Sequence, residues 1–183
     1  MESKTIAITT LGCKVNQYDS ATIEETLIDK GYRIVDFKTA ADVYIINTCT
    51  VTHKTDYQSR QLIRRAQKKN PGAQIIVTGC YAQVSAEKLK EIPGVSLILG
   101  NSEKQSIADF ITGRPVKESG PRVMVSDIVE KAPFIDPPLR TFSKHTRAFL
   151  KIQDGCESYC SYCIVPRARG KCRSLAPQET LKR

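Results

Sequence analysis

No apolar run in this sequence approaches the ~20 residues that a membrane helix needs, so the chain reads as soluble, with no membrane partner. Nothing at Met1–Thr10 resembles a secretory signal. The cysteine count is odd, at seven. Three of these thiols fall within Cys156–Cys163, which suits a metal better than bridges and points to a reducing cytoplasm. Histidine is scarce: His53 and His145 are the only two. Neither has an Asp, Glu or second His at a chelating spacing, which leaves them surface or capping roles. Acidic residues are also in the minority, 19 against 28 Lys and Arg, for a formal charge of +9 that fits a polyanionic partner. From Leu139 to Arg183 the imbalance is ten basic residues to three acidic, much of it beside the densest group of cysteines.

That group is Cys156, Cys160 and Cys163 in GCESYCSYC, a C-x-x-x-C-x-x-C spacing. An iron-sulfur cubane has four iron corners and is usually held by four thiolates. Three ligands on one short loop therefore leave a corner open, which in a radical enzyme binds S-adenosylmethionine. A single zinc with Cys172 as fourth ligand is the rival use of the same thiols.

The first ~110 residues alternate strand and helix patterns, which predicts an α/β layered fold with a parallel sheet. Strands are expected at Thr5–Thr10, Val43–Ile46, Ile75–Val77 and Val95–Leu99. A helix capped by Asp19 or Ser20 should turn Ile23, Leu27 and Ile28 inward and stop at Gly31. A basic helix from about Asp56 to Lys69 places Leu62, Ile63 and Ala66 inward and Arg60, Arg64, Arg65, Lys68 and Lys69 outward. Such a stripe is either a solvated face or a site for RNA phosphates. Ser85 should cap a helix through Leu89, and another helix spans Glu103 to Ile111. The Pro-rich, charged stretch that follows reads as a linker, with a short strand at Arg122–Val125. A strand at Ala148–Ile152 then leads into Cys156, and Ala176 or Pro177 opens a last helix.

The second cysteine set is Cys13 in TTLGC, Cys49 in IINTC and Cys80 in IVTGC. Each follows an expected parallel strand, and ligands of open α/β sheets bind beyond the carboxyl ends of strands. A lone cysteine is often a small buried hydrophobe. Three at equivalent places, beside Gly12, Asn16, Asn47, Thr48, Thr50 and Gly79, instead suggest a second cubane with three protein ligands.

LGCKVNQYDS, NTCTVT, TGCYAQ and IQDGCESYCSYCIVPRARGKCRS together resemble the radical S-adenosylmethionine methylthiotransferases along the whole chain. The resemblance implies a parallel-sheet methylthiotransferase N-terminal domain over 1–113, a linker over 114–146, and the truncated start of a radical β/α barrel over 147–183. It implies two 4Fe-4S clusters: an auxiliary one on Cys13, Cys49 and Cys80, and a radical-generating one with S-adenosylmethionine on Cys156, Cys160 and Cys163. Tyr162 matches the family's aromatic position near the cofactor adenine, and plain packing of the loop is its other use. Lys14-Val15, Thr50-Val51-Thr52 and PRARG are similar to the branch that converts N6-threonylcarbamoyladenosine beside the tRNA anticodon to its 2-methylthio derivative, with tRNA as substrate and a protein electron donor. Branches acting on isopentenyladenosine or on a ribosomal-protein aspartate are the alternatives, as is a non-catalytic iron-sulfur or RNA-binding module. Two features depart from the family. Cys172 matches no ligand position. A β/α barrel typically takes ~250 residues, whereas about thirty follow Leu150, as in the N-terminal part of a longer enzyme.

Overall fold

Six short strands form one parallel sheet in the computed structural model, which describes residues 3–111, 120–128, 134, 137–140 and 149–183. They are β1 (Thr5–Thr10), β2 (Arg33–Val35), β3 (Val43–Thr48), β4 (Gln74–Gly79), β5 (Val95–Leu99) and β6 (Arg122–Met124). Their order across the sheet is β2-β1-β3-β4-β5-β6. The chain leaves β1 for one edge and, from β3 onward, builds toward the other. Connections therefore diverge between β1 and β3, the switch point at which open α/β sheets gather ligands.

The apolar runs become strands buried on both faces. Tyr44, Ile46, Ile75 and Val77 pack on one side with Ile63, Ala66, Tyr81 and Leu89. Val43, Ile45 and Ile76 pack on the other with Ile6, Ile23, Leu27 and Ile107. The first side carries α2 (His53–Lys69), α3 (Cys80–Val84) and α4 (Ala86–Lys90). The second carries α1 (Lys14–Asp29) and a 3₁₀ helix, Glu103–Phe110, where an ordinary helix was expected.

Several expectations change. Helix α1 starts at Lys14, with Cys13 as N-cap, so Asp19 and Ser20 lie inside the helix and are buried. Ile23 and Leu27 face the core as expected, but Ile28 is 54% exposed. Helix α2 starts earlier than Asp56 because Thr52 forms a capping box with Thr55. Arg60 is not a free outward charge: it donates to the Tyr81 hydroxyl at 3.0 Å. Ser85 precedes α4 without a side-chain cap bond. Strand β2 and helix α3 lacked a recognisable pattern, being only three and five residues long.

The stretch expected as a linker, 114–146, falls largely outside the described residues, as do both of its ends and, separately, the residues His145 and Ala148. Its described part contributes β6, which pairs in parallel with β5. The strand expected at Ala148–Ile152 is not formed over its described part. Leu150 and Ile152 are about half exposed and Lys151 is buried, the reverse of the apolar pattern. The ladder begins one residue later: β7 (Gln153–Asp154) pairs antiparallel with β8 (Arg173–Ser174). Between them lie the cysteine loop and α5 (Val165–Arg169), and α6 (Pro177–Leu181) follows. Among the described residues no helix is long and apolar enough to cross a membrane.

Candidate functional site

Strands β1, β3 and β4 are neighbours, and their carboxyl ends carry Cys13, Cys49 and Cys80. Cys49 follows β3 directly and is buried; Cys80 is the first residue of α3 and is buried; Cys13 is exposed. Cys13 and Cys80 both lie within electrostatic reach of Cys49. Burial pushes the Cys49 thiol up, N–H bonds from Val51 and Thr50 oppose this, and the neighbouring Cys80 and Cys13 add to the rise.

Backbone shape makes this edge possible. Gly12 has φ +101°, and a Cβ there would stand 2.6 Å from both Cβ and Sγ of Cys49. Gly79, at φ +94°, lies so close to Thr48 that a Cβ would strike its backbone. Only glycine allows β1 and β4 to turn this tightly beside Cys49. Buried amides fix the loops: Asn16 Nδ2 donates to Leu11 O (2.8 Å) and Thr48 O (3.0 Å), and Asn47 Nδ2 to Asn16 O (3.0 Å) and Ser20 Oγ (2.9 Å).

Cys156, Cys160 and Cys163 share the loop between β7 and α5. The Cys163 N–H donates to Cys160 O at 2.9 Å, and the Cys156 N–H to Gly170 O at 3.0 Å. Tyr159 holds φ +45°, a left-handed conformation uncommon for a bulky residue, as the loop wraps between its cysteines. Hydrogen bonds from the Ser158 hydroxyl and N–H hold the Cys156 thiol below its usual range. Tyr162 is 90% exposed, so its ring does not pack the loop. Cys172 is half-buried, 4.0 Å from Ser174 Oγ.

The loop is docked beside the first site by residues that local pattern did not reveal. Asp19, fully buried, pairs with Lys104, with Lys151 at 2.7 Å and with Arg169 at 3.0 Å. Arg169 also reaches both Asp154 oxygens at 2.9 Å and Asn16 Oδ1 at 2.6 Å. Lys151 lies 3.0 Å from Asp154. Burial alone would raise the Asp19 carboxyl, but Lys104, Arg169 and Lys151 outweigh it and hold the group far below the usual carboxylate range. Asp154 is lowered in the same way: Arg169 and Lys151 overcome burial. Asn101 completes the junction, its Nδ2 donating to Ala168 O at 2.6 Å and toward Cys80 Sγ at 3.9 Å. PRARG was a visible motif, but nothing local marked Arg169 as a partner of Asp19.

Among the described residues no three His, Cys, Asp or Glu side chains converge as ligands of a single metal ion would. A cubane asks for something else, because each thiolate takes its own iron corner. For that group the donors fit: soft thiolates in threes, space kept clear at Gly12 beside Cys49, and an amide N–H aimed at the Cys80 sulfur. His53 opens α2 and stands exposed. Arg64, Arg65, Lys68 and Lys69 are exposed but lie toward the end of α2 remote from Cys49, so they are not part of this edge.

Known proteins align with this sequence. The chain is 44% identical over 178 residues to the threonylcarbamoyladenosine tRNA methylthiotransferase MtaB of Bacillus subtilis, covering 97% of this chain and 39% of that protein. It is 39% identical over 170 residues to the protein of the same name from Aquifex aeolicus, covering 93% of this chain and 41% of that one. A tRNA-2-methylthio-N(6)-dimethylallyladenosine synthase of Cereibacter sphaeroides is 34% identical over 173 residues, with 92% and 39% covered. The chain thus spans about two fifths of the length of these curated relatives. The family model described as "Uncharacterized protein family UPF0004" matches residues 5–100, which run from β1 to the end of β5 and include Cys13, Cys49 and Cys80. The chain belongs to this family.

Proposed function

We propose that the chain is the cluster-binding part of a tRNA methylthiotransferase that converts N6-threonylcarbamoyladenosine beside the anticodon to its 2-methylthio derivative. The observation that carries this reading is the pair of cysteine triplets, one at the switch point of the sheet and one on a loop docked beside Cys80. The names of the Bacillus and Aquifex relatives favour the threonylcarbamoyl substrate. The Cereibacter relative supports dimethylallyladenosine as the second reading.

In this reading Cys13, Cys49 and Cys80 hold an auxiliary 4Fe-4S cluster, and Cys156, Cys160 and Cys163 hold a second one. When bound, a cluster held by three thiolates leaves one iron for S-adenosylmethionine and supplies the electron that cleaves its sulfonium bond. The chain's own residues prepare that site. Ser158 favours the thiolate of Cys156, the ligand form. The exposed Tyr162 ring offers a face for stacking on the adenine. The modified nucleoside would approach between the loop and the sheet edge in a cytoplasmic setting, with reduction by a partner protein. In this reading the sheet domain assigned to residues 1–113 also takes in β6 from the connecting stretch 114–146, and 147–183 begin the radical domain.

Anaerobic reconstitution followed by iron and sulfide analysis tests the reading. About eight irons per chain are expected, falling to about four when either cysteine triplet is replaced by alanine. A tightly held zinc in place of iron overturns it. Mass spectrometry of tRNA nucleosides from cells lacking the gene separates the substrates by which methylthio adenosine disappears.

A further inference from the structure

The charge cluster around Asp19 has no part in holding iron, yet it is the most deeply buried polar group that both halves of the chain share. Asp19 and Asn16 come from α1 and Lys104 from the 3₁₀ helix on one side. Lys151 and Asp154 precede Cys156, and Arg169 follows Cys163, on the other. The cysteine loop is therefore clamped at both ends to a single carboxylate. We infer that this cluster is a latch that sets the radical loop at a fixed separation from the Cys13, Cys49 and Cys80 edge, with Asp19 as its positioning residue. The inference rests on the two-cluster reading above.

Three observations carry it. First, apolar burial does not hold the segment: from 149 to 183 Ala168 is the single buried hydrophobic residue, whereas Lys151 and Arg169 are buried. Second, the contacts are directional. The Arg169 fork spends one nitrogen on both Asp154 oxygens and the other on Asn16 and Asp19, a geometry that a lysine cannot reproduce. Buried ion pairs are poor sources of stability but can specify one arrangement. Third, the latch adjoins the first cysteine site. Ala168, one residue before Arg169, accepts from Asn101, which also donates toward Cys80. Gly170, one residue after it, accepts from the Cys156 N–H. Each triplet is thus one or two contacts from the same arginine. Group transfer between two centres is steeply sensitive to placement, and a displacement of about 1 Å can cost on the order of 10²-fold.

The test compares the unsubstituted protein with Asp19→Asn and Arg169→Lys. In the metal-free proteins, amide exchange across 153–174, including the Cys156 and Ala168 amides, should lose at least about tenfold protection in Asp19→Asn and about threefold in Arg169→Lys, while β3 and β4 keep theirs. In the reconstituted proteins, pulsed electron paramagnetic resonance should give a narrow separation between the two reduced clusters, broadened at least about twofold by Asp19→Asn at unchanged iron content. Unchanged protection and an unchanged separation overturn the latch. Equal loss of protection in β3 and β4 also overturns it, since Asp19 would then act on general stability alone. If Asp19→Asn does not fold, Arg169→Lys decides by the same two measurements. Failure of the unsubstituted protein to take up two clusters refutes the functional reading, and the metal-free exchange measurement then still decides the latch.

Discussion

Two regions of this molecule present three cysteines each, and they are held in place by opposite means. The sheet edge bearing Cys13, Cys49 and Cys80 rests on strands whose side chains are buried and mostly apolar, from Ile6 through Ile76 to Ile98. The loop bearing Cys156, Cys160 and Cys163 rests on salt bridges that reach back to Asp19 across 132 and 150 residues of chain. Apolar packing is non-directional and survives small shifts, so it makes a rigid floor. Ion pairs with fixed hydrogen-bond geometry choose one arrangement over its neighbours. The contrast suits a fixed site beneath one that must be set in register.

The largest effect that separates the two regions should come from the floor. Ile76→Ala removes a fully buried side chain from central strand β4 and should cost about 2–5 kcal/mol. Because Asp19 and Lys104 are placed by elements packed on this sheet, the loop should lose its dock together with the sheet. Thermal unfolding followed by amide exchange checks this. A loop segment that stays protected after β3 and β4 have opened would break the comparison.

The same contrast explains what was legible in the sequence. Runs such as VYIIN and QIIVTG identify buried strands from their neighbours alone, so the cysteines at their ends could be placed at one edge. Asp19 could not be read this way. A carboxylate near an apolar run resembles a helix cap, and its true partner Lys104 is 85 residues away, with Lys151 and Arg169 farther still. Lys151 sits in the apolar text of AFLKI and was read as a strand residue, but its charge turns inward while Leu150 and Ile152 turn out. Local periodicity records the packing of an element's own face; it carries no trace of an ion pair closed by distant elements.

Acid should separate the regions next. The folded state lowers the Asp19 and Asp154 carboxyls below their usual values, so their stabilisation is fully present above the ordinary carboxylate pKa of about 3.9 and is lost as pH falls below it toward the depressed folded values. In the floor, Asp42, held low mainly by hydrogen bonds from the Thr5 N–H and hydroxyl, shares this dependence at the end of the sheet away from the cysteines. The buried apolar side chains of β3 and β4 do not titrate. Amide exchange at pH 6 and pH 3 should show residues 153–174 opening while β3 and β4 stay closed. Simultaneous opening of both would show that the dock and the floor are one cooperative unit. A smaller effect, on the floor alone, is expected for Thr52→Ala. It removes the capping box that starts α2 just after Cys49 and should cost about 1 kcal/mol in thermal unfolding, with no opening of 153–174 ahead of the sheet.

The smallest effect sharpens the comparison most, because it concerns an arginine that also bonds α1. Arg140 pairs with Glu25 at 3.2 Å and with Asp29, but it does so in solvent. Water screens such pairs, and holding a long side chain in place offsets much of what they gain. Arg140→Ala should therefore leave both the melting temperature and the exchange of 153–174 unchanged within error. Arg169 differs from it in burial and in the fork it closes on Asp154, Asn16 and Asp19. A loss of protection in Arg140→Ala comparable to that in Arg169→Lys would mean that any bridge to α1 docks the loop, and that burial of the Asp19 cluster has no special part in setting its register.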